Sequence, residues 1–261
     1  MTVLFVAVSD ALLVVSDGGG RWVAERRFAG RSRLMCVTTD PRHPERVYCG
    51  TASEGLWRSD DLGGTWSRVG EGVLHERVTA VAVSGRERVD GGSNRGNVGR
   101  GSAGESVLYA GTEPTALYRS EDAGETWKMR HALLALPSAP TWSFPPRPHT
   151  SHVRWIATDP LVPERIFVAI EAGALVTSSD GGLTWTDRRP GSPYDTHTLV
   201  VHPQETGRLY SAAGDGYFES TTSGVEWERR EDGLRHRYLY GLAVEPDDPE
   251  TIVISASRSA M

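Results

Sequence analysis

The chain has 261 residues, of which 38% are hydrophobic and 24% charged, and its formal net charge is −6. This length allows one large domain with its own core. The basic residues are scattered without interleaved aromatic residues, which excludes a nucleic-acid surface, and no apolar run approaches the roughly 18 residues of a membrane span.

The chain opens with an apolar stretch, residues 1–8, that has no basic segment before it and no small-residue cleavage site after it. We therefore expect a strand here and a cytoplasmic location. The two cysteines, Cys36 and Cys49, fall on neighbouring predicted strands. Free thiols are the favoured state in a cytosolic protein, with a disulfide as the alternative.

An eight-residue turn motif then recurs along the chain, with the pattern S-x-D-x-G-x-T-W. Complete copies occupy residues 59–66, 120–127 and 178–185, and altered copies occupy 15–22 and 220–227. A short Asp accepts hydrogen bonds from the backbone of its own turn, Gly permits a positive φ, and Trp supplies a large apolar face. The motif thus predicts a structural turn and no catalytic role for its aspartates.

This motif resembles the Asp-box of bacterial sialidases, sortilin-type receptors and xyloglucanase-like propellers. The resemblance covers the whole chain and implies an all-β propeller. Sialidases also carry an Arg-Ile-Pro motif and a Tyr/Glu pair, neither of which can be matched here. Xyloglucanase-like enzymes place a cleft between two propellers, whereas this chain has the repeats of one.

A second repeated element precedes the turns and consists of an apolar strand, a Pro turn and another strand. It recurs before Pro41, Pro160, Pro203 and Pro246, and 26 residues separate both Asp40 from Trp66 and Asp159 from Trp185. Each repeat predicts a four-stranded antiparallel blade. We expect a single propeller domain over residues 1–261, with five to six blades present and the repeat continuing in a longer natural protein.

Two segments interrupt the repeat. Residues 85–106 are rich in Gly, Ser, Asn and Arg, which predicts a disordered insertion. Residues 133–151 contain Trp142, Phe144 and several prolines, which predicts an ordered loop. This loop would either close over a ligand, with Arg147 among its contacts, or plug the channel.

Aligning the repeats on the Pro turns places polar residues at the start of the innermost strands and apolar residues deeper in the channel. The candidate ligand-binding residues at the channel mouth are Arg33, Arg77, Arg147, His152, Arg154, Asp195, His197 and Tyr238. Arginine suits an anionic or carboxylate ligand because its fork is planar. The alternative is a solvated rim with internal salt bridges.

These observations favour a non-enzymatic propeller that binds a small molecule, a glycan or a protein partner. The alternative is a glycoside hydrolase or lyase. Such an enzyme needs two carboxylates about 5–10 Å apart, and Asp195 is the candidate catalytic residue, with Glu54 or Glu171 as its partner. A metal site formed by His149, His152 and His197 is not favoured, so no metal and no cofactor are predicted.

Overall fold

The computed structural model describes residues 2–28, 32–85 and 106–260. These residues form six antiparallel sheets in chain order, which confirms the predicted all-β propeller. The first three sheets are β1 (Val3–Val8), β2 (Ala11–Asp17) and β3 (Trp22–Arg27); β4 (Leu34–Asp40), β5 (His43–Thr51), β6 (Leu56–Ser59) and β7 (Ser67–Val69); and β8 (Arg77–Ser84), β9 (Val107–Glu113), β10 (Leu117–Ser120) and β11 (Lys128–Met129).

Two short 3₁₀ helices, His131–Ala135 and Ala139–Thr141, connect the third sheet to the fourth. The remaining sheets are β12 (Val153–Thr158), β13 (Ile166–Ile170) and β14 (Ala174–Ser178); β15 (Thr196–Val201), β16 (Leu209–Ala213), β17 (Gly216–Ser220) and β18 (Glu228–Arg229); and β19 (Tyr238–Glu245) and β20 (Asp248–Ser257). No helix among the described residues is long and apolar enough to cross a membrane.

The innermost strands β1, β4, β8, β12, β15 and β19 contact one another in that order and surround an axial channel. A cavity of about 600 Å³ lies along the axis, and its lining includes Val37, Val81, Ile156 and Leu199. These are the positions that the repeat alignment predicts to be apolar. The channel is therefore polar at its mouth and apolar further along the axis.

Five hydrophobic clusters join the successive sheets. Tyr48 of β5 and Leu108 of β9 are fully buried in the joint between the second and third sheets. Val168 of β13 and Leu133 of the first 3₁₀ helix are fully buried between the third and fourth. Burying one such aliphatic side chain stabilises the fold by about 1.5–3 kcal/mol, so these joints hold the sheets in a fixed arc.

The repeated turn motif has the predicted structural role. In the first complete copy, Asp61 accepts hydrogen bonds from the Thr65 backbone N–H and the Thr65 hydroxyl, both at 2.8 Å, and from the Ser59 hydroxyl at 2.7 Å. These bonds, the Thr65 N–H first among them, lower the pKa of Asp61 to about 2. Asp122 and Asp180 make equivalent bonds in the other two complete copies.

The tryptophan that ends four of the motif copies seals the joint to the preceding sheet, whereas Trp22, which ends the first altered copy, is exposed. The indole N–H donates to the carbonyl of the motif glycine in Trp66, Trp127 and Trp227, as from Trp66 to Gly63 at 3.0 Å, whereas that of Trp185 has no hydrogen-bond partner among the described residues. In all four copies the ring packs into the joint. The tryptophans concerned are Trp66, Trp127, Trp185 and Trp227. The motif thus links a local turn to the packing of neighbouring sheets.

The Pro-rich segment is held by hydrogen bonds along its length. Trp142 is buried and donates from its indole to the Ser138 hydroxyl at 3.0 Å, and Ser138 in turn donates to Asp187. The Phe144 N–H donates to the Thr150 carbonyl at 2.7 Å, closing the loop. Most of the predicted insertion, residues 86–105, lies outside the described residues.

Both cysteines are free, as predicted. Cys36 of β4 lies opposite Gly50 of β5, whereas Cys49 lies opposite Val37. The two cysteines therefore do not face each other across the strands. Burial raises the pKa of the Cys36 thiol to about 12, which disfavours a reactive thiolate.

Candidate functional site

The channel mouth brings together most of the polar residues that the repeat alignment selects. Arg77 begins β8, His152 precedes β12, Asp195 precedes β15 and Tyr238 begins β19. Because these strands surround one axis, their first residues converge at one end of it. Arg33 occupies the same position before β4, but it is exposed and contributes its carbonyl to the Ala52 N–H.

Two carboxylates, Glu171 and Asp195, lie at the centre of this mouth, and one oxygen of each lies within 4.8 Å of the other. Glu171 comes from the loop between β13 and β14, and Asp195 from the segment before β15. The Ala172 N–H donates to Asp195 Oδ1 at 2.9 Å, and Ala172 has a φ of 42°. A left-handed backbone conformation in a residue other than Gly costs about 1 kcal/mol or more of strain energy. The hydrogen bond from Ala172 to Asp195 therefore helps to hold this strained turn, which brings the two acids together.

The surroundings of Glu171 favour its protonated form. Burial, and then the nearby charge of Asp195, raise the pKa of Glu171, while the Arg154 guanidinium opposes this shift. Arg154 Nε lies 3.0 Å from Glu171 Oε2. The site therefore holds one half-buried carboxyl group, that of Glu171, next to a second, that of Asp195, which accepts a backbone N–H.

Two buried imidazoles flank Glu171. His197 Nε2 lies 3.8 Å from Glu171 Oε1 and 3.6 Å from Asp195 Oδ2. Its ring stacks on Tyr240 with centroids 5.0 Å apart, and the Tyr238 hydroxyl lies 3.4 Å from Nε2. His152 Nε2 lies 3.8 Å from Glu171 Oε2, and burial lowers the pKa of His152 to about 4.

Three of the mouth arginines, Arg77, Arg147 and Arg154, lie beside carboxylates of the chain. Arg147 of the Pro-rich loop makes two hydrogen bonds to Glu113, at 2.9 and 2.7 Å, and Arg77 Nε lies 3.9 Å from the same carboxylate. The predicted anion-binding role of Arg77, Arg147 and Arg154 therefore competes with internal ion pairs. The structure has the internal salt bridges of the alternative hypothesis, and Glu113 and Glu171 are the acids that pair with these arginines.

The Pro-rich loop reaches the mouth through these contacts. Arg147 stacks over the Phe144 ring at 4.8 Å, and Phe144 meets the edge of His152 with centroids 4.9 Å apart. Of the three histidines considered for a metal site, His152 and His197 both lie beside Glu171, whereas His149 is exposed. The loop thus forms one wall of the site.

The role of Glu113 was not predicted from the sequence. Glu113 ends β9, and Glu171 directly follows the corresponding strand of the next sheet, β13. An acid at the end of the second strand of successive repeats is therefore a signal present in the sequence, but it lies outside the innermost strands on which the predicted site was based. Glu54, the other acid considered as a partner for Asp195, instead accepts from the Ser32 N–H at 3.5 Å.

Comparison with known proteins supports the fold and changes the functional hypothesis. The chain is 30% identical over 268 residues to a xyloglucanase of Paenibacillus sp, a match that covers 96% of this chain and 22% of that protein. It is 24% identical over 265 residues to xyloglucanase Xgh74A of Acetivibrio thermocellus, covering 85% of this chain and 29% of that protein. The chain is a β-propeller with glycoside-hydrolase relatives.

A solved structure agrees with this result at the level of the fold. The GH74 enzyme of Niastella koreensis matches with a TM-score of 0.65 and 18% identity, over 97% of this chain and 40% of that one. No family model matches the chain. The propeller spans less than a third of the length of these curated relatives.

The favoured hypothesis of a non-enzymatic binding or scaffolding propeller is therefore wrong. The named relatives are xyloglucanases, which supports the glycoside-hydrolase alternative. The physical reason for the error is that the sequence showed one acid, Asp195, at the aligned mouth positions, whereas the second acid, Glu171, comes from a loop that does not belong to the innermost strands.

Proposed function

We propose that this propeller hydrolyses a glycosidic bond, with Glu171 and Asp195 as the two catalytic carboxylates. The observation that carries the proposal is the separation of the pair, since one oxygen of each lies within 4.8 Å of the other at the channel mouth. Glycoside hydrolysis in most families uses two carboxyl groups on either side of the scissile bond. The similarity to xyloglucanases supports this class of reaction.

The environments of the two acids support a different role for each. Glu171 is the more buried acid, and its pKa is raised, so Glu171 is the general acid that protonates the leaving oxygen. Asp195 is oriented by the Ala172 N–H at Oδ1, and its other oxygen, Oδ2, lies 3.6 Å from His197 Nε2, so we assign Asp195 as the group that attacks the anomeric carbon. Water then releases the sugar, and Glu171 accepts its proton.

A branched glucan is the first substrate to test. The relatives are named for xyloglucan, and a neutral glycan agrees with a mouth whose arginines already bind carboxylates. We also infer that the sheets belong to the Asp-box type of propeller. The hydrogen bonds of Asp61, Asp122 and Asp180 within their own turns support this inference.

The experiment is release of reducing sugar from xyloglucan and from a panel of β-glucans by the purified chain. We expect Glu171→Gln and Asp195→Asn each to lower kcat by at least about a hundredfold, as for general acids and nucleophiles in other enzymes. Glu54→Gln is the matched control, because Glu54 is also a mouth glutamate but lies outside the pair. No release by the parent chain, or equal rates in all variants, would refute the proposal.

A further inference from the structure

We propose that Glu171, Asp195 and His197 form a binding site for a divalent transition-metal cation, with Zn²⁺ as the representative ion. The three side chains each offer one ligand atom, and these atoms lie within 4.8 Å of one another. Two carboxylate oxygens and one imidazole nitrogen are a donor set that Zn²⁺ accepts in proteins. Metal binding would be a function beyond hydrolysis, and the binding experiment does not depend on whether the chain hydrolyses a glycan.

The first argument is the orientation of the His197 ring. Its Nδ1 lies 2.5 Å from the Leu239 carbonyl oxygen, so Nδ1 carries the hydrogen, because a carbonyl oxygen only accepts. In the neutral ring, Nε2 then presents a lone pair, and around it lie the Tyr238 hydroxyl at 3.4 Å, Asp195 Oδ2 at 3.6 Å and Glu171 Oε1 at 3.8 Å. A histidine that binds a metal typically donates its other N–H to a carbonyl or carboxylate in this way.

The second argument is the spacing of the atoms. Two ligands about 2.1 Å from one zinc ion lie roughly 3.0–4.2 Å apart for angles from about 90° to 180°. His197 Nε2 lies 3.6 Å from Asp195 Oδ2 and 3.8 Å from Glu171 Oε1. These separations are too long for hydrogen bonds and fit two pairs of ligands around one cation.

The third argument is an independent one and concerns His152, which is 7% exposed. Neither of its ring nitrogens has a hydrogen-bond partner within the described part of the chain; Nδ1 is fully buried, and Nε2 is directed at Glu171 Oε2 from 3.8 Å. A buried polar group without a partner is unfavourable. His152 thus lies between Glu113 and Glu171, 3.8 Å from an oxygen of each, without a hydrogen bond to either.

A cation held here would occupy the carboxylates that we assign to hydrolysis. Zn²⁺ should therefore compete with the glycan and lower the rate of sugar release. This consequence rests on the proposed function, whereas binding of the metal does not. We therefore separate the two by measuring binding directly.

The experiment is titration of Zn²⁺ into the metal-stripped 261-residue chain by calorimetry, with Co²⁺ absorption as the second readout. We expect one site, and at least about tenfold weaker binding in Asp195→Asn and His197→Gln, since each variant removes one ligand. Glu54→Gln is the control and should bind as the parent does. Because His197 is buried, a thermal melt must show that its variant is folded; the Asp195→Asn variant tests the proposal in any case.

The outcomes distinguish the two proposals. Absence of a Zn²⁺ site in the parent chain, or equal affinity in Asp195→Asn and the parent, overturns the metal site whatever the chain hydrolyses. Binding lost in Asp195→Asn and His197→Gln supports the site, even if no glycan is cleaved. If both activities are present, sugar release should fall as Zn²⁺ saturates the site and return after EDTA.

Discussion

The paired hydrogen bonds between Arg147 and Glu113 should anchor the Pro-rich loop against the channel mouth. The two residues are 34 positions apart in the sequence, and the Glu113 side chain is only 9% exposed, against 42% for Arg147. In Arg147→Met the buried carboxylate keeps only Arg77 Nε at 3.9 Å and His152 Nδ1 at 3.8 Å. Leaving a buried charge without its partner costs more than the pair itself contributes.

We expect Arg147→Met to lower the free energy of unfolding by about 1.5–3 kcal/mol, the range for hydrogen bonds to charged groups. Glu113→Gln should cost less, because the substituted amide is neutral and leaves no buried charge. In the double variant the two losses should not add, and the coupling should be about 1–2 kcal/mol. Urea denaturation of all four proteins gives these values.

Additive losses in that cycle, or a loss below about 0.5 kcal/mol in Arg147→Met, would refute the reasoning, because they would show that the pair behaves as an ordinary surface salt bridge. Limited proteolysis provides an independent check. The variants should be cut faster than the parent within residues 142–150, since the anchored loop would detach while the sheets stay folded. Equal cutting rates would contradict the anchoring role.

Three further predictions follow from the geometry. The pKa of Asp180 is lowered to about 2 from 3.8 by hydrogen bonds that outweigh the effect of burial, so its contribution to stability is complete above about pH 4 and is lost as the pH falls towards 2; Asp180→Asn should remove this dependence in urea denaturation, and an unchanged slope would contradict it. The separation of Glu171 and Asp195 is closer to the roughly 5–5.5 Å of retaining enzymes than to the wider gap of inverting ones, so NMR of the first product should show retained anomeric configuration. Gly111→Ala would place a Cβ in steric conflict with the Val153 side chain, so we expect it to lower the free energy of unfolding by about 1–3 kcal/mol. An unchanged melting temperature would show that β12 moves aside without cost.

Much of the fold was predictable because its signals are local. The hydrogen bonds of each turn motif join residues no more than four positions apart, such as Asp61 and Thr65. The complete copies therefore fold alike wherever they occur. The apolar positions Val37, Val81 and Leu199 were also predictable, since the repeat places them at the same depth of the channel.

The candidate site was predictable only in part. The repeat alignment located Asp195, His152 and His197 at one mouth, because the innermost strands share an axis. It did not show that Glu171 stands between the two imidazoles, nor that Arg147 binds Glu113. These contacts join loops of different sheets, and the approach of such loops depends on the angle between the sheets.

The amino-acid sequence by itself thus determined the propeller, the structural role of the turn motif and the end of the channel where polar residues gather. Each of these follows from short-range hydrogen bonding or from the depth of a residue along a strand. Only the tertiary structure decided which acids pair, which arginines are already occupied and where a cation would lie. Those results depend on distances of a few ångströms between Glu171, Asp195 and His197, which are set by the packing of whole sheets and not by any local pattern.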